Sequence, residues 1–308
     1  MINDSFSNRQ YVIRIFIAVL LAIFVIQLFS LQLIKDYGEQ ADSNALLRRT
    51  VYAPRGLIYD RNGVLLVYNQ PTYDILVTMH ELRTMSKNGT PLDTLEFCKI
   101  LALTKDEFNK RMTDVKNRLG YSARVPQRFI TQLSPTEYAV LQEKLHRFPG
   151  FTIQGRTLRN YSYPVAGHAL GSIGEVSRKM IENDPYYKQG DYAGVSGFEK
   201  SYEKALRGEN GVEILLRDVA GRIQGRYKHG EFDKAAVAGE NLTVTLDIKL
   251  QILAEELLQG KKGSVVAIEP STGEILAMAS NPTWNPDLLV GRQRSKNYAM
   301  LQNDPTKP

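Results

Sequence analysis

Three hydropathy regimes follow one another along the chain. From Ile15 to Ile34 (IFIAVLLAIFVIQLFSLQLI) no charged residue occurs. As a helix rising 1.5 Å per residue, such a run crosses a hydrocarbon core of about 30 Å. Arg14 at its start is long enough to reach the headgroups, and Lys35 and Asp36 close the other end. The run exceeds the ~7–15-residue apolar region of a cleavable signal and leads into SLQLIKDYGEQ instead of small residues, so it predicts a retained anchor. No second apolar run of that length follows, so the chain is expected to cross once, with everything after Lys35 on one side. Arg9 and Arg14 before the span, and Lys35, Arg48 and Arg49 after it, are too evenly divided to choose an orientation.

Past the anchor the pattern shortens. Residues 36–53 are polar with scattered apolar positions and predict a juxtamembrane helix leading into a strand. Leu57–Tyr59 and Val64–Tyr68 flank Asp60-Arg61-Asn62-Gly63, a hairpin signal in which Gly63 supplies the left-handed residue. Another strand is expected at Thr72–Thr78. Residues 92–148 turn helical: Leu92–Leu101 has helical spacing, and Thr104-Lys-Asp-Glu107 is a capping box opening a helix that should end at Gly120. Ser134-Pro135-Thr136-Glu137 repeats the device with proline at the first helical position. Short strands and turns rich in Gly and Tyr return over 151–240.

From Asn241 the regime changes again. NLTVTL (241–246) alternates as a strand, Asp247 caps a helix through Leu258 stopped by Gly260, and Gly263–Ile268 and Glu274–Ala279 form a second hairpin. Strand, helix and hairpin in this order read as the opening of a further domain, and roughly sixty residues are marginal as a domain of their own. The expected organisation is therefore α+β: cytoplasmic tail and anchor over 1–34, a strand-rich module over 35–240 with a helical insertion at about 92–148, and an incomplete start of another domain over 241–308. Without its anchor, such a chain is expected to be water-soluble with a loose tail beyond Asn241.

Composition narrows the chemistry. A 308-residue chain with 43% hydrophobic and 23% charged residues is neither disordered nor polytopic. Lys+Arg 39 against Asp+Glu 33 leaves +6, spread along the chain, and no basic run interleaved with aromatics points to nucleic acid. The single Cys98 excludes an internal disulfide and reads as a buried thiol. His80, His146, His168 and His229 show no metal-binding spacing, and no cofactor or metal is expected. Gly171-Ser-Ile-Gly174 and Gly194-Val-Ser-Gly197 fall short of a nucleophile elbow and read as loop glycines.

One catalytic-looking pair remains. Ser201-Tyr-Glu-Lys204 fits Ser-x-x-Lys, the spacing that lets a neutral lysine take a serine proton. Glu199, Lys200 and Glu203 are expected to surround it with solvated charge and keep Lys204 protonated, which makes it a helix turn and a decoy. Ser295-Lys296-Asn297 supplies a Ser-x-Asn, but no Lys-[Ser/Thr]-Gly occurs.

Three segments together carry a resemblance. APRGLIYDRNGVLLVYN (Ala53–Asn69) resembles the hairpin opening the non-catalytic module of class B penicillin-binding proteins. GVSGFEKSYEKALRGENG (Gly194–Gly211) is similar to a second segment of that module. TLDIKLQILAEELL and GSVVAIEPSTGEILAMASNPTWNP resemble the start of the family's transpeptidase domain, a serine β-lactamase-like fold. The helical insertion and KNYAMLQNDPTKP are most similar to the elongation-type members.

The resemblance implies a peptidoglycan D,D-transpeptidase of the inner membrane, single-pass, N-terminus inside and bulk periplasmic. It implies stem peptides ending in D-Ala-D-Ala as substrate, β-lactams as trapping agents, and a SEDS-type glycosyltransferase and elongation scaffold proteins as partners. Residues 15–34 would contact the bilayer. The family's Ser-x-x-Lys follows the Asn-Asp-Pro stretch, so it would fall beyond Pro308, and Ser201 does not match it. No catalytic residue carries over, which reads as a truncated chain. The alternative is an anchored pedestal that binds and regulates a glycan polymerase. Candidate structural or partner residues are Arg55, Gly56, Asp60, Arg61, Gly63, Gly197, Glu199, Tyr202, Arg207 and Gly208. The glycines can serve merely as turn formers, and Arg55, Asp60 and Glu199 can be either buried ion pairs or solvated charges.

Overall fold

The computed structural model describes residues 4–29, 46–87, 92–118, 121–218 and 223–306. In chain order its regular elements begin with α1 (Asp4–Phe29), β1 (Leu46–Val51), β2 (Ile58–Tyr59), β3 (Leu65–Val77), α2 (Met79–Lys87), α3 (Thr94–Ile100) and α4 (Lys105–Lys116). Then come β4 (Gln127–Leu133), α5 (Pro135–Lys144), β5 (Phe151–Tyr161), α6 (Gly167–Leu170), β6 (Ile173–Glu175) and α7 (Arg178–Asn183). β7 (Tyr192–Gly194), α8 (Gly197–Ser201), α9 (Glu203–Leu206), β8 (Gly211–Arg217), β9 (Ile223–Arg226) and β10 (Leu242–Thr243) follow. The last are α10 (Ile248–Leu258), β11 (Gly263–Ile268), β12 (Ile275–Asn281) and α11 (Arg294–Asn303). Two units divide the chain: Met1–Arg48 with Ile214–Phe232, and Arg49–Glu213 with Asp233–Pro308.

In the first unit, Tyr11–Phe29 of α1 has a mean hydropathy of 2.8 and is long and apolar enough to cross a membrane. Its side chains are exposed throughout, as a lipid-facing helix requires. Residues 30–34 of the expected span, and the expected juxtamembrane helix up to residue 45, lie outside the described residues. The ribbon between β8 and β9 pairs Leu215 with Arg226 and Leu216 with Gly225.

The second unit is organised by β3. Along one edge β3 pairs with β5 at every position from Val67↔Tyr161 to Val77↔Phe151. Along the other edge β2 takes its first residues and β4 its last, with β10 parallel outside β2. The hairpin at 57–68 forms as the pattern predicts, with Gly63 at φ +79°. Thr72–Thr78 is not a separate strand, because β3 runs through Pro71 without a break. Pro71 falls where β2 has ended and β4 has not begun, an edge position that tolerates a missing N–H.

Residues 92–148 differ from the helical expectation in one respect: β4 lies inside them and joins the sheet. Both capping boxes are present. Thr104 accepts from Glu107 N while Glu107 accepts from Thr104 N, and Ser134 and Glu137 do the same with Pro135 at the first helical position. The Thr104 N–H holds the Glu107 carboxyl below its usual range. The α4 helix ends at Lys116, and Gly120 lies outside the described residues. These helices cover one end of the sheet with a phenylalanine core. Phe97 has no exposure, and its ring lies 4.3 Å from Phe151, 5.0 Å from Phe148 and 5.9 Å from Phe108 between centroids. Cys98 is buried beside it, a free thiol.

At the other end of the sheet a second core joins Ile58, Leu66, Val67, Leu170 and Leu206 to Val244, Leu246 and Ile248. Beyond Asn241 the chain is therefore not a loose tail. The apolar positions of 242–248 are needed to close the sheet end, and α10 and β12 build on that closure around Ala254, Leu258, Ala277 and Ala279.

Phe97→Ala is expected to cost about 3–5 kcal/mol, because the cavity it leaves is lined by other rings that cannot collapse into it. Leu95→Ala on the same helix, where the side chain is 70% exposed, is expected to stay within about 0.5 kcal/mol. Denaturant unfolding of the two variants in detergent, followed by circular dichroism, measures the difference.

Candidate functional site

The three segments Ala53–Asn69, Arg156–Arg159 and Gly194–Gly208 meet around one carboxylate. Arg55 Nη2 donates to Glu199 Oε2 at 2.6 Å, and Arg159 Nε donates to Glu199 Oε1 at 2.7 Å. The side chains of Glu199 and Arg159 have no exposure. Arg55 also donates through both terminal nitrogens to Glu203, at 3.0 and 2.7 Å. Glu203 accepts in addition from Tyr187 Oη and from Gly194 N, each at 2.8 Å. Asn69 ties the arginines together: its Nδ2 donates to the Arg55 carbonyl at 2.6 Å and its Oδ1 accepts from Arg159 Nη1 at 2.9 Å. Burial disfavours the charge on Arg55, but Glu199 and Glu203 carry it above the ordinary guanidinium range. Arg159 lies below that range, since its burial outweighs Glu199.

A second group sits further along β3 and β5. Asp74 is fully buried, accepts from Gln132 N at 2.9 Å, and lies 3.5 Å from Arg156 and 3.8 Å from Arg128. Asp191 faces the same two arginines at 3.6 and 3.7 Å, and Arg128 and Arg156 both donate to the Gly190 carbonyl. Arg207 completes the arrangement, donating to Asp184 at 2.7 Å with its guanidinium 4.0 Å from the Tyr186 ring centroid.

Glycines enter here through close approach. A Cβ on Gly56 would stand 1.7 Å from the Glu240 carbonyl oxygen, so only glycine lets the 55–57 and 239–241 backbones touch. Gly197, at φ +56°, is pressed against Ala169 O and Gly171 in the same way. The two runs read as ordinary glycine loops are in fact one joint: β6 and β7 pair Ile173 with Gly194, and Ser172 N donates to Ser196 Oγ at 3.1 Å. Gly208, at φ +65°, lies against Val237 O.

Residues 60–63 face the segment after 241. Asp60 has no exposure, yet it forms no ion pair in the described structure: Oδ1 accepts from Asn62 N and Val64 N at 2.8 and 2.7 Å, and Oδ2 lies 3.4 Å from Ile248 N. Arg61 is one-third exposed and lies 3.3 Å from Glu269 and 3.4 Å from Glu274. Further along, Ala166 N donates to Glu255 at 2.6 Å, Arg294 Nε to Ile173 O at 3.0 Å, and Arg292 pairs with Glu137.

With this geometry in place, comparison with known proteins gives a consistent result. A family model described as the penicillin-binding protein dimerisation domain matches residues 50–244. The chain belongs to that family. The peptidoglycan D,D-transpeptidase MrdA of Escherichia coli K12 is 30% identical over 98% of this chain and 47% of its own length. The Acinetobacter baumannii protein of the same name is 31% identical over 98% of this chain and 45% of its own. The chain thus spans about half the length of these relatives. Among solved structures, a penicillin-binding protein PBP2 in complex with MreC from Helicobacter pylori matches with a TM-score of 0.69 at 21% identity, over 85% of this chain and 48% of that one. These likenesses support a PBP2-like class B penicillin-binding protein, N-terminal portion, with the dimerisation-domain fold and a mixed α/β make-up.

Ser201 and Lys204 are both exposed and belong to separate short helices broken at Tyr202. The sequence expectation that Glu199 and Glu203 surround this pair as solvated charge is wrong, because both carboxylates turn inward to Arg55. Tyr202 is exposed, its ring tilted against Phe198. Pattern reading missed Asn69, Asp74, Arg156 and Arg159. Their signal was present in β3 and β5, where charged residues interrupt apolar strands (YDILV and GRTLRNY) and have to find one another across the sheet. Among the described residues no group of three His, Cys, Asp or Glu side chains is placed to hold a metal ion.

Glu199→Gln is expected to cost about 3–5 kcal/mol, because it leaves Arg159 charged and buried without its partner. The neighbouring Lys200→Gln, at an exposed position, is expected to stay within about 0.5 kcal/mol. Urea midpoints of the two variants provide the check.

Burial pushes the Tyr187 phenol up to about 12 from its ordinary 10.0. A raised pKa means the folded state holds the proton more tightly, so this contribution is complete below pH 10 and is lost as the pH rises through about 12. The melting temperature should fall across that window, and less steeply in Tyr187→Phe, as measured by thermal melts in alkaline buffers.

Proposed function

We propose that this chain is the membrane-anchored pedestal half of a peptidoglycan D,D-transpeptidase of cell-wall elongation. In the whole protein a serine attacks the D-Ala-D-Ala bond of a stem peptide, releases D-alanine and passes the acyl group to a neighbouring amine. The same serine is trapped by β-lactams. The pedestal contributes none of these steps. It holds the reacting domain away from the bilayer, with α1 as the anchor, the residues before it in the cytoplasm and the bulk outside.

The observation carrying this reading is the state of β11 and β12. The two strands pair along their length from Gly263↔Asn281 to Ile268↔Ile275, and α10 covers part of them. Val265, Val266, Ile268, Ile275 and Met278 remain exposed. An isolated two-stranded ribbon with such apolar surface is not stable by itself and calls for further strands or helices, as the opening hairpin of a transpeptidase domain would. A partner-binding role accompanies this one, supported by the fold shared with a PBP2 that was solved in complex with MreC. The partners in this reading are an elongation scaffold and a SEDS-type glycosyltransferase.

A fluorescent penicillin is expected to leave the 308-residue chain unlabelled and to label a chimera in which a relative's remaining half follows Pro308. Covalent labelling of the 308-residue chain that disappears in Ser201→Ala would overturn the reading.

A further inference from the structure

The sheet that follows the anchor carries a surface used by neither the ion pairs nor the hairpin of β11 and β12. In that sheet β8 lies between β1 and β9. Arg49 pairs with Glu213, and Ala53 N donates to Asn210 Oδ1 at 3.0 Å, so β1 and β8 run in opposite directions. β8 therefore heads back toward the start of β1, and β9 turns away again, with Arg226 opposite Leu215. Chain length limits how far the start of β1 can lie from the bilayer. The eleven residues between Ile34 and Leu46 span at most about 40 Å when fully extended.

The ribbon end nearest that start is apolar and open: Leu216 is 39% and Ile223 44% exposed. After β9 the chain makes a turn in which Lys228, His229 and Gly230 all have positive φ, at +42°, +58° and +88°. Side chains resist that conformation, so the turn is specified rather than slack. It brings the Phe232 and Tyr227 ring centroids to 5.8 Å and sets Lys228 Nζ over both rings, 5.1 and 5.6 Å from their centroids. Phe232 nonetheless stays 53% exposed, and Lys228 is exposed with it. Rings that carry an ammonium group on an open face settle at headgroup depth, with the rings below and the charge on phosphate. Arg48, Arg217, Arg226 and Lys228 outnumber Asp218 and Glu231 here, which favours an anionic surface.

A protein partner is served less well. An interface of standard size takes about 800 Å² from each side around a fully buried centre. Leu216, Ile223 and Phe232, spread along a narrow ribbon, do not make such a centre. A lipid surface needs none, because a chain already tethered by α1 meets it at high effective concentration. We propose that the β8–β9 ribbon and the Tyr227–Phe232 turn dock on the bilayer, with Lys228 on an anionic lipid phosphate and Phe232 among the headgroups. The proposal rests on the reading of α1 as a membrane anchor. It gives the base of the pedestal a second foothold, which limits how far the chain can tilt on its single helix.

The test places the full 308-residue chain in lipid nanodiscs with brominated acyl chains and uses Phe232→Trp as a reporter. The parent chain, whose single tryptophan is Trp284, is the baseline. In discs containing phosphatidylglycerol the added tryptophan is expected to lose fluorescence beyond the parent's loss, and to regain it in phosphatidylcholine alone. Adding Lys228→Gln is expected to lower the ratio of docked to undocked ribbon about fivefold. Ile223→Trp, at another exposed position, repeats the measurement should the first substitution disturb the turn. A chain that does not co-elute with the discs overturns the anchor and the docking together. Co-elution with no quenching beyond the parent at either position overturns the docking alone and assigns the ribbon to a protein partner. Equal quenching in phosphatidylcholine alone, or indifference to Lys228→Gln, also overturns it, since the charge is then idle.

Discussion

A fully buried carboxylate shared by two arginines is the constraint on which the second unit depends. Glu199 has no water to solvate it, so its charge is tolerated only because Arg55 and Arg159 reach both of its oxygens. Neither arginine is replaceable by lysine on this geometry. Arg55 uses its planar fork to hold Glu199 and Glu203 at once, and Arg159 divides its donors between Glu199 and Asn69. The three partners come from parts of the chain far apart in sequence, so the pairs form only once the segment before β2, β5 and α8 are all in place. Such a group contributes less net stability than its contacts imply, but any arrangement that leaves one member unpaired is strongly disfavoured. Its effect is to specify one register of hairpin, sheet and helix.

Close backbone packing follows from the same requirement. To bring Arg55 onto Glu199, residues 55–57 have to lie against Leu206 and Glu240, and Gly56 N donates to Leu206 O at 2.8 Å. Gly56, Gly197 and Gly239 stand where a side chain would collide with a carbonyl oxygen of another segment. The fragments Arg-Gly and Gly-Phe-Glu thus act as pairs, with the glycine permitting the approach that the neighbouring charged residue exploits.

Much of the fold was legible because it is local. The capping boxes at Thr104 and Ser134, the Gly63 turn, and the Asp247 cap of α10 depend on residues within a few positions of one another, and all form. What was hidden depended on partners far away. β3 looked like two strands because Pro71 is a breaker in isolation, and only the staggered ends of β2 and β4 make it harmless. β4 was lost inside a helical stretch because its value is its pairing with β3. Glu199 and Glu203 were read as solvated because a run of charges on a short helix usually is. No local pattern distinguishes a carboxylate that turns inward to an arginine 144 residues earlier. The family resemblance located the right segments without revealing that they converge.

The hairpin that opens the second unit has two jobs on its two ends. Arg55, before β2, anchors the ion pairs. Asp60 and Arg61, after it, face the segment beyond Asn241: Arg61 N donates to Leu246 O at 3.0 Å, its side chain lies near Glu269 and Glu274, and β10 lies parallel to β2. A rigid strand of two residues, Ile58 and Tyr59, separates the two sets of contacts. The buried pairs therefore fix the direction of β2, and β2 fixes where α10, β11 and β12 begin. Asp60 is satisfied by backbone N–H groups of its own loop, so the turn is held without an ion pair of its own, and the partly exposed Arg61 contacts to Glu269 and Glu274 add to it. The two ends of β2 therefore differ in kind: charge buried and balanced at Arg55, and a backbone-capped carboxylate at Asp60.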